Sequence, residues 1–495
     1  MLRWCCCLRR HLITLRGSDV PRVNIGIFGA MNAGKSSLMN ALTRQNTSIV
    51  DATPGTTADT KIALHELHDV GPTKLFDTAG IDEEGELGAK KRAKSFSILK
   101  ECDLALIVVD LSGFAEHRNN SDECRRALAW ERRLAEEAAS RGILPLFVLN
   151  AKATTISPVE AGSIAAEAKA ILVEGLAAKG GTQQQQQYAP EELADAPFLV
   201  VDLGDPAAAS DLVTNFVQTN AERVEQFVPR ALPEKYLRPD AGVFLNIPMD
   251  AETPSMRLLR PQALVQEEAI RHWATTVAFR MDLASARGRG DALEAEKRRF
   301  QRALRAVIEA CPPRAPKILV TDSQALDIVH PWTLDDSTGE PLVDVTTFSV
   351  AMMHRQSGAR LPLFAKGMDT YETLKPGARI LMAEACNHNR ITDKCNDVGT
   401  VQIPSFVHKQ HRAKNVTIDH AFGREFPDVG LSNYDLIVHC GACMIDHQKV
   451  RARISDAADA GVPITNYGLL LAYAYHGRDA LHRVLDPWTP PDDTK

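Results

Sequence analysis

Short apolar runs separated by amphipathic and charged stretches set the pattern of this chain. The runs at 23–29, 146–150, 198–201, 242–248, 275–280, 317–322, 377–383, 417–421 and 436–439 read as buried strands. Between them, helices are expected after residue 36 through Leu38 and Leu42, at 211–218, 261–273, 291–310, 325–329 and 446–460. Alternating strands and helices predict an α/β protein with parallel sheets. An Ala-, Glu- and Lys-rich insertion at 157–195 is expected to be helical in its first half and disordered around Gln183–Gln187. The proline-containing stretch 229–240 reads as a linker. The expected layout is therefore a first domain over 20–228, a middle one over 241–360 and a last one over 361–495.

The 495 residues leave room for about three domains of ordinary size. With 44% hydrophobic and 24% charged residues, usage is that of a folded domain protein. The net charge of −6 implies no general affinity for nucleic acid, and no apolar run is long enough to span a membrane. Residues 1–19 differ from the rest. They carry Arg3, Arg9, Arg10 and Arg16, and the first acid is Asp19. A basic, acid-poor leader of this kind points to an organelle matrix, in a hydrogenosome, a mitochondrion-related organelle or a plastid stroma.

The first strand runs into Gly29-Ala-Met-Asn-Ala-Gly34-Lys35-Ser36 and then a helix, which is a phosphate-binding loop in its required context. Gly29 and Gly34 let the loop turn so that N–H groups, those of Ala33 and Ser37 among them, face phosphate. Lys35 would neutralise the β and γ phosphates, and Ser36 would offer a hydroxyl to Mg2+. Thr57, with Thr56 as the alternative, would supply a second Mg2+ hydroxyl. Asp77 falls just after a strand as the metal-side carboxylate, and Gly80 can donate its N–H to the γ-phosphate. Ile81 follows Gly80, so no glutamine stands there to orient water, and intrinsic hydrolysis should be slow. These motifs resemble GTPases of the Era and TrmE type. The resemblance implies K+ ligation by Asn32 and base reading by Asn150 and Lys152. Here the base motif departs from Asn-Lys-x-Asp: Asn150-Ala-Lys152-Ala lacks the acid, and Asp202-Leu-Gly stands where Ser-Ala-Lys is expected. GTP is thus implied by the family, with weakened discrimination against adenine.

Further on, Cys386 and His388 stand as Cys-x-His at one strand end, and His439, Cys440 and Cys443 as His-Cys-x-x-Cys at another, with fifty residues between the histidines. Ligands gather beyond the carboxyl ends of parallel strands, so the two groups could meet. Thiolates of this set suit zinc or an iron–sulfur cluster, and buried cysteines beside unrelated histidines remain an alternative. The middle domain shows no catalytic cluster and is expected to be a partner or dimer surface.

With the phosphate loop in front and this ligand set behind, residues 20–485 resemble the HydF family, GTPases that mature iron-only (FeFe) hydrogenases. The flanking runs 247–250, 320–324, 346–349, 383–386 and 461–468 carry the same likeness. The resemblance implies a 4Fe-4S cluster held by Cys386, Cys440 and Cys443, with His388 or His439 near a labile fourth position. It also implies a two-iron precursor carried for apo-hydrogenase, the radical-SAM maturases HydE and HydG as partners, and a homodimer formed through the middle domain. A TrmE-like regulatory GTPase with a structural zinc domain is the alternative.

Overall fold

The computed structural model describes residues 22–44, 61–67, 70–78, 86–118, 120–174, 176, 195–221, 229–248, 258–385, 397–423, 426 and 430–489. The chain divides into two compact units, residues 1–226 and 227–495.

The first unit is built on six strands: β1 (Val23–Phe28), β2 (Lys61–Leu67), β3 (Gly71–Asp77), β4 (Leu104–Asp110), β5 (Leu144–Asn150) and β6 (Phe198–Val201). Their order is β2-β3-β1-β4-β5-β6. Every pair is parallel except β2–β3. The placement follows from the side chains. β1, β4 and β5 are apolar at almost every position and buried along their length, as central strands covered on both faces must be. β2 mixes polar and apolar residues and exposes Leu64, which suits an edge. The register brings Ile27 beside Asp77, Asp110 beside Asn150, and Asn150 beside Val201. The carboxyl ends of these strands therefore form one rim. The expected helix in the insertion spans Pro158–Val173, opened by a capping box between Ser157 and Glu160. The glutamine run lies outside the described residues.

The second unit holds two four-stranded sheets, both wholly parallel. One comprises β7 (Gly242–Asn246), β8 (Thr275–Phe279), β9 (Lys317–Thr321) and β10 (Asp344–Thr347), in the order β10-β9-β7-β8. The other comprises β11 (Arg379–Glu384), β12 (Thr417–Phe422), β13 (Leu436–His439) and β14 (Ile464–Asn466), in the order β12-β11-β13-β14. A single apolar core joins them, since Phe244, Phe300 and Leu319 belong to the same cluster as Phe364, Leu381 and Ile437. Residues 229–237 are packed: Ala231, Leu232 and Tyr236 are buried, and the Tyr236 hydroxyl donates to Asp344. Prolines fix the turns there, while the apolar residues between them fill the core.

Two aspartates at helix starts in this unit do not cap with their side chains. Asp322 does not cap the following turn with its side chain; it accepts from Gln262 Nε2 at 3.1 Å. Asp446 stands at the N-cap of the helix His447–Asp459 but makes no side-chain capping bond.

Candidate functional site

At the rim of the first unit, β1 hands the chain to the helix Lys35–Thr43 through a loop with three left-handed residues, Gly29 (φ 144°), Asn32 (φ 60°) and Gly34 (φ 111°). Two of these must be glycine. A Cβ on Gly29 would lie 2.3 Å from the Val108 carbonyl oxygen, and one on Gly34 would lie 2.7 Å from Asn150 Nδ2. The loop therefore hugs β4 on one side and β5 on the other. The helix N-terminus behind it carries partial positive charge suited to phosphate.

A buried helix residue and the end of β3 help to fix the loop. Glu131, buried in the helix Ala129–Ser140, accepts from Ala30 N at 3.0 Å. Lys35 Nζ donates to Ala30 O at 2.6 Å, and Ser36 Oγ donates to Asp77 Oδ2 at 3.1 Å. The Ser36–Asp77 pair unites the two groups expected to serve Mg2+. Thr56, Thr57 and Gly80 lie outside the described residues.

On the side of the rim assigned to the base, the candidate residues have protein partners. Asn150, 2% exposed, donates from Nδ2 to Ala33 O at 2.9 Å and accepts at Oδ1 from Leu203 N at 3.1 Å. Its amide ties the phosphate loop to the loop after β6. Lys152 Nζ bonds Asp110 Oδ2 at 3.0 Å, and Asp202 Oδ2 accepts from Ala153 N at 2.9 Å. Asp110 and Glu131 have no signal in a linear motif, because each reaches its partner only through the sheet.

In the second unit, β11 and β13 are parallel neighbours with Ala383 beside His439. Cys440 N donates to Ala383 O at 3.0 Å. The Cys440 sulfur accepts from Ala385 N at 3.2 Å and from Ala442 N at 3.4 Å. Ala385 immediately precedes Cys386, so the chain leading to the first ligand group reaches the sulfur of the second. Cys386 and His388 themselves lie outside the described residues. Ala442 adopts φ 56°, turning the chain between Cys440 and Cys443, and Arg260 Nη1 donates to Cys443 O at 2.7 Å. Burial pushes the Cys440 thiol up, while the two N–H donors pull it back toward thiolate.

His439 is 1% exposed and both its ring nitrogens are engaged. Nδ1 meets Cys440 O at 2.8 Å, and Nε2 meets Arg453 Nη1 at 3.0 Å. Since the guanidinium can only donate, Nε2 accepts and Nδ1 carries the proton. Burial, and then the Arg453 charge, hold this imidazole down to about 3, so it is neutral. Arg453 is itself 1% exposed, with the Phe426 ring 4.5 Å from its guanidinium carbon. In a charged helix it reads from sequence as a surface residue.

Comparisons with known proteins divide along the same line. Residues 24–144 match the 50S ribosome-binding GTPase family, and residues 362–487 match the hydrogen maturase F tetramerization domain. The chain has a HydF-type architecture. Its first unit is a GTPase domain. Relatives of this HydF-type chain include GTPase Der of Campylobacter hominis, 40% identical over 18% of this chain and 20% of that one. Another is the tRNA modification GTPase MnmE of Thermoanaerobacter sp., 47% identical over 17% and 19%. The chain thus spans about a fifth of the length of the curated relatives it matches, all within the GTPase domain. Among solved structures, elongation factor SelB of Methanococcus maripaludis aligns at 19% identity over 41% of this chain and 35% of that one, with a TM-score of 0.28.

Proposed function

We propose that this chain is a maturation factor for FeFe hydrogenase, which hydrolyses GTP in its first unit and carries iron–sulfur chemistry in its second. The observation that carries the reading is the Cys440 sulfur receiving the N–H of Ala385, beside Cys386. Ala385, which leads into the first ligand group, and Cys440 of the second are thereby joined at the carboxyl ends of the neighbouring strands β11 and β13. Two backbone N–H groups directed at this half-buried sulfur offset part of the burial that raises its thiol, and so suit the thiolate form that binds iron. Cys386, Cys440 and Cys443 would hold a 4Fe-4S cluster, whose incompletely protein-ligated iron supplies an exchangeable coordination position. His439 orients the turn through Cys440 O and Arg453, a positioning role; His388 is then the imidazole better suited to the fourth position.

The two-iron precursor is cargo, received from the radical-SAM maturases HydE and HydG and passed to apo-hydrogenase. In the first unit, Ser36, Asp77 and Thr57 serve Mg2+, Lys35 and Gly80 the phosphates, and Asn32 a K+ that stimulates turnover. Self-association is supported by the apolar face left on the helix Arg260–Arg271 and the turn after it, where Ile270 is 56% and Trp273 81% exposed. The tetramerization named for the matched family points the same way. No helix among the described residues is long and apolar enough to cross a membrane. The arginine-rich leader would deliver the chain to an organelle matrix.

Two variants separate the functions. Lys35→Ala should abolish nucleotide hydrolysis while iron and sulfide content after anaerobic reconstitution stay normal. Cys440→Ser should lose the brown colour and the reduced-state EPR signal yet hydrolyse GTP at the wild-type rate. A colourless wild-type chain that takes up one zinc instead of iron would replace this reading with the structural-zinc one.

A further inference from the structure

The described stretch Asn150–Ala153 carries no acid, yet a carboxylate stands at its end. Asp202, from the loop after β6, places Oδ2 2.9 Å from Ala153 N and Oδ1 2.8 Å from Gly204 N. Gly204 allows this close turn, since a Cβ there would lie 2.9 Å from Asp202 Oδ1. The other rim carboxylates are occupied by side chains: Asp77 by the Ser36 hydroxyl and Asp110 by the Lys152 ammonium. Asp202 meets backbone N–H groups, which use two of the roughly four acceptor positions of a carboxylate. The remainder are available to an incoming pair of donors.

Asp202 is also set at a fixed reach from the phosphate loop. Leu203, the next residue, donates to Asn150 Oδ1, and Asn150 donates to Ala33 O within that loop. A ligand whose phosphates lie on the loop and whose base reaches along the rim would meet this carboxylate. Guanine offers two adjacent donors, N1–H and the 2-amino group, which match two carboxylate oxygens. Adenine offers an N1 acceptor and no 2-amino group, so its edge would face the carboxylate acceptor to acceptor.

We propose that Asp202 is the guanine-reading residue, its carboxylate delivered from the β6 loop to the position beside Ala153. This deepens the GTPase reading and rests on it. The discrimination against adenine expected to be weak from the base motif is then restored from a second loop.

The test uses the full chain titrated with fluorescently labelled GTP, ATP and XTP in the presence of Mg2+. Asp202→Ala should weaken GTP binding by roughly 10- to 100-fold, the range for a lost hydrogen bond to a charged group, and leave ATP binding nearly unchanged. Asp202→Asn, which conserves size, should shift preference from GTP towards XTP by about tenfold or more, because xanthine replaces the 2-amino donor by a carbonyl that an amide N–H can meet. Ala153 is exposed, so Ala153→Asp in the Asp202→Ala background should recover GTP binding. An unchanged GTP:XTP:ATP ratio in Asp202→Asn overturns the assignment while leaving the GTPase reading intact. Wild-type chain that binds no nucleotide, or binds equally well with Lys35→Ala, overturns both.

Discussion

The Asn150 amide joins three segments far apart in sequence, and replacing it should open the nucleotide site from within. Its partners, Ala33 O and Leu203 N, lie 117 and 53 residues away, and both bonds are buried. Asn150→Ala leaves one carbonyl and one N–H without this partner, at about 1–3 kcal/mol each. The sum, about 2–6 kcal/mol, is a large fraction of the 5–15 kcal/mol typical of a folded domain. With a urea slope of about 2 kcal/mol per molar, the midpoint of the first unit should fall by about 1–3 M. Asn150→Asp should be worse than alanine. One carboxylate oxygen still accepts from Leu203 N, but the other turns a buried charge towards Ala33 O, where a donor is needed. Peptide-resolved hydrogen exchange during urea titration separates the two units; peptides covering 29–44 should exchange faster in both variants while peptides from 379–439 do not change. Should the alanine variant lie within 0.5 kcal/mol of wild type, a difference ordinary for surface positions, or should aspartate prove the milder change, the clamp described for Asn150 is not what holds the loop.

Two further outcomes follow from geometry and charge. Gly29→Ala forces a Cβ to 2.3 Å from the backbone oxygen of Val108 at a φ of 144°, so nucleotide binding should be lost while the urea midpoint of the second unit stays unchanged; near-normal GTP affinity would contradict the packing of the loop on β4. His330, His354 and His447 are each held down to about 4, in every case by burial first. An unfolded chain takes up these protons near pH 6.5 and the native one only near 4, so the native state binds fewer and stability falls as pH drops between those values. The slope is at most about 1.4 kcal/mol per pH unit per histidine. The second unit should melt distinctly earlier at pH 5 than at pH 7.5, and equal midpoints would show that these imidazoles protonate freely in the fold.

Most of the framework is legible in the sequence because it is written in local patterns. The phosphate loop sits between a strand and a helix whose apolar spacing is plain, and nine apolar runs became nine of the strands. β10 and β14 are harder to see. Asp344–Thr347 has one apolar residue in four and Ile464–Asn466 is only three residues long, so neither shows a period; each is placed by its neighbour in the sheet. The site divides the same way. Spacing marks the five ligand candidates, but it cannot show that Asn150 spends its amide on loops, that Lys152 is held by Asp110, or that Arg453 lies buried against Phe426. Each of those depends on a contact between residues remote in sequence, the longest spanning the 117 positions from Ala33 to Asn150.

The parallel pairing of β11 with β13 also sets an order of events. Parallel neighbours need a crossover, and here it includes β12 and the helix Ile403–Gln410 before the chain returns at Leu436. β13 in turn lies between β11 and β14. A nascent chain that has exposed Cys386 and His388 therefore presents only two of the five candidate ligands. The other three, ending at Cys443, lie beyond that crossover, so any metal loading through the whole candidate set would have to follow the docking of β13.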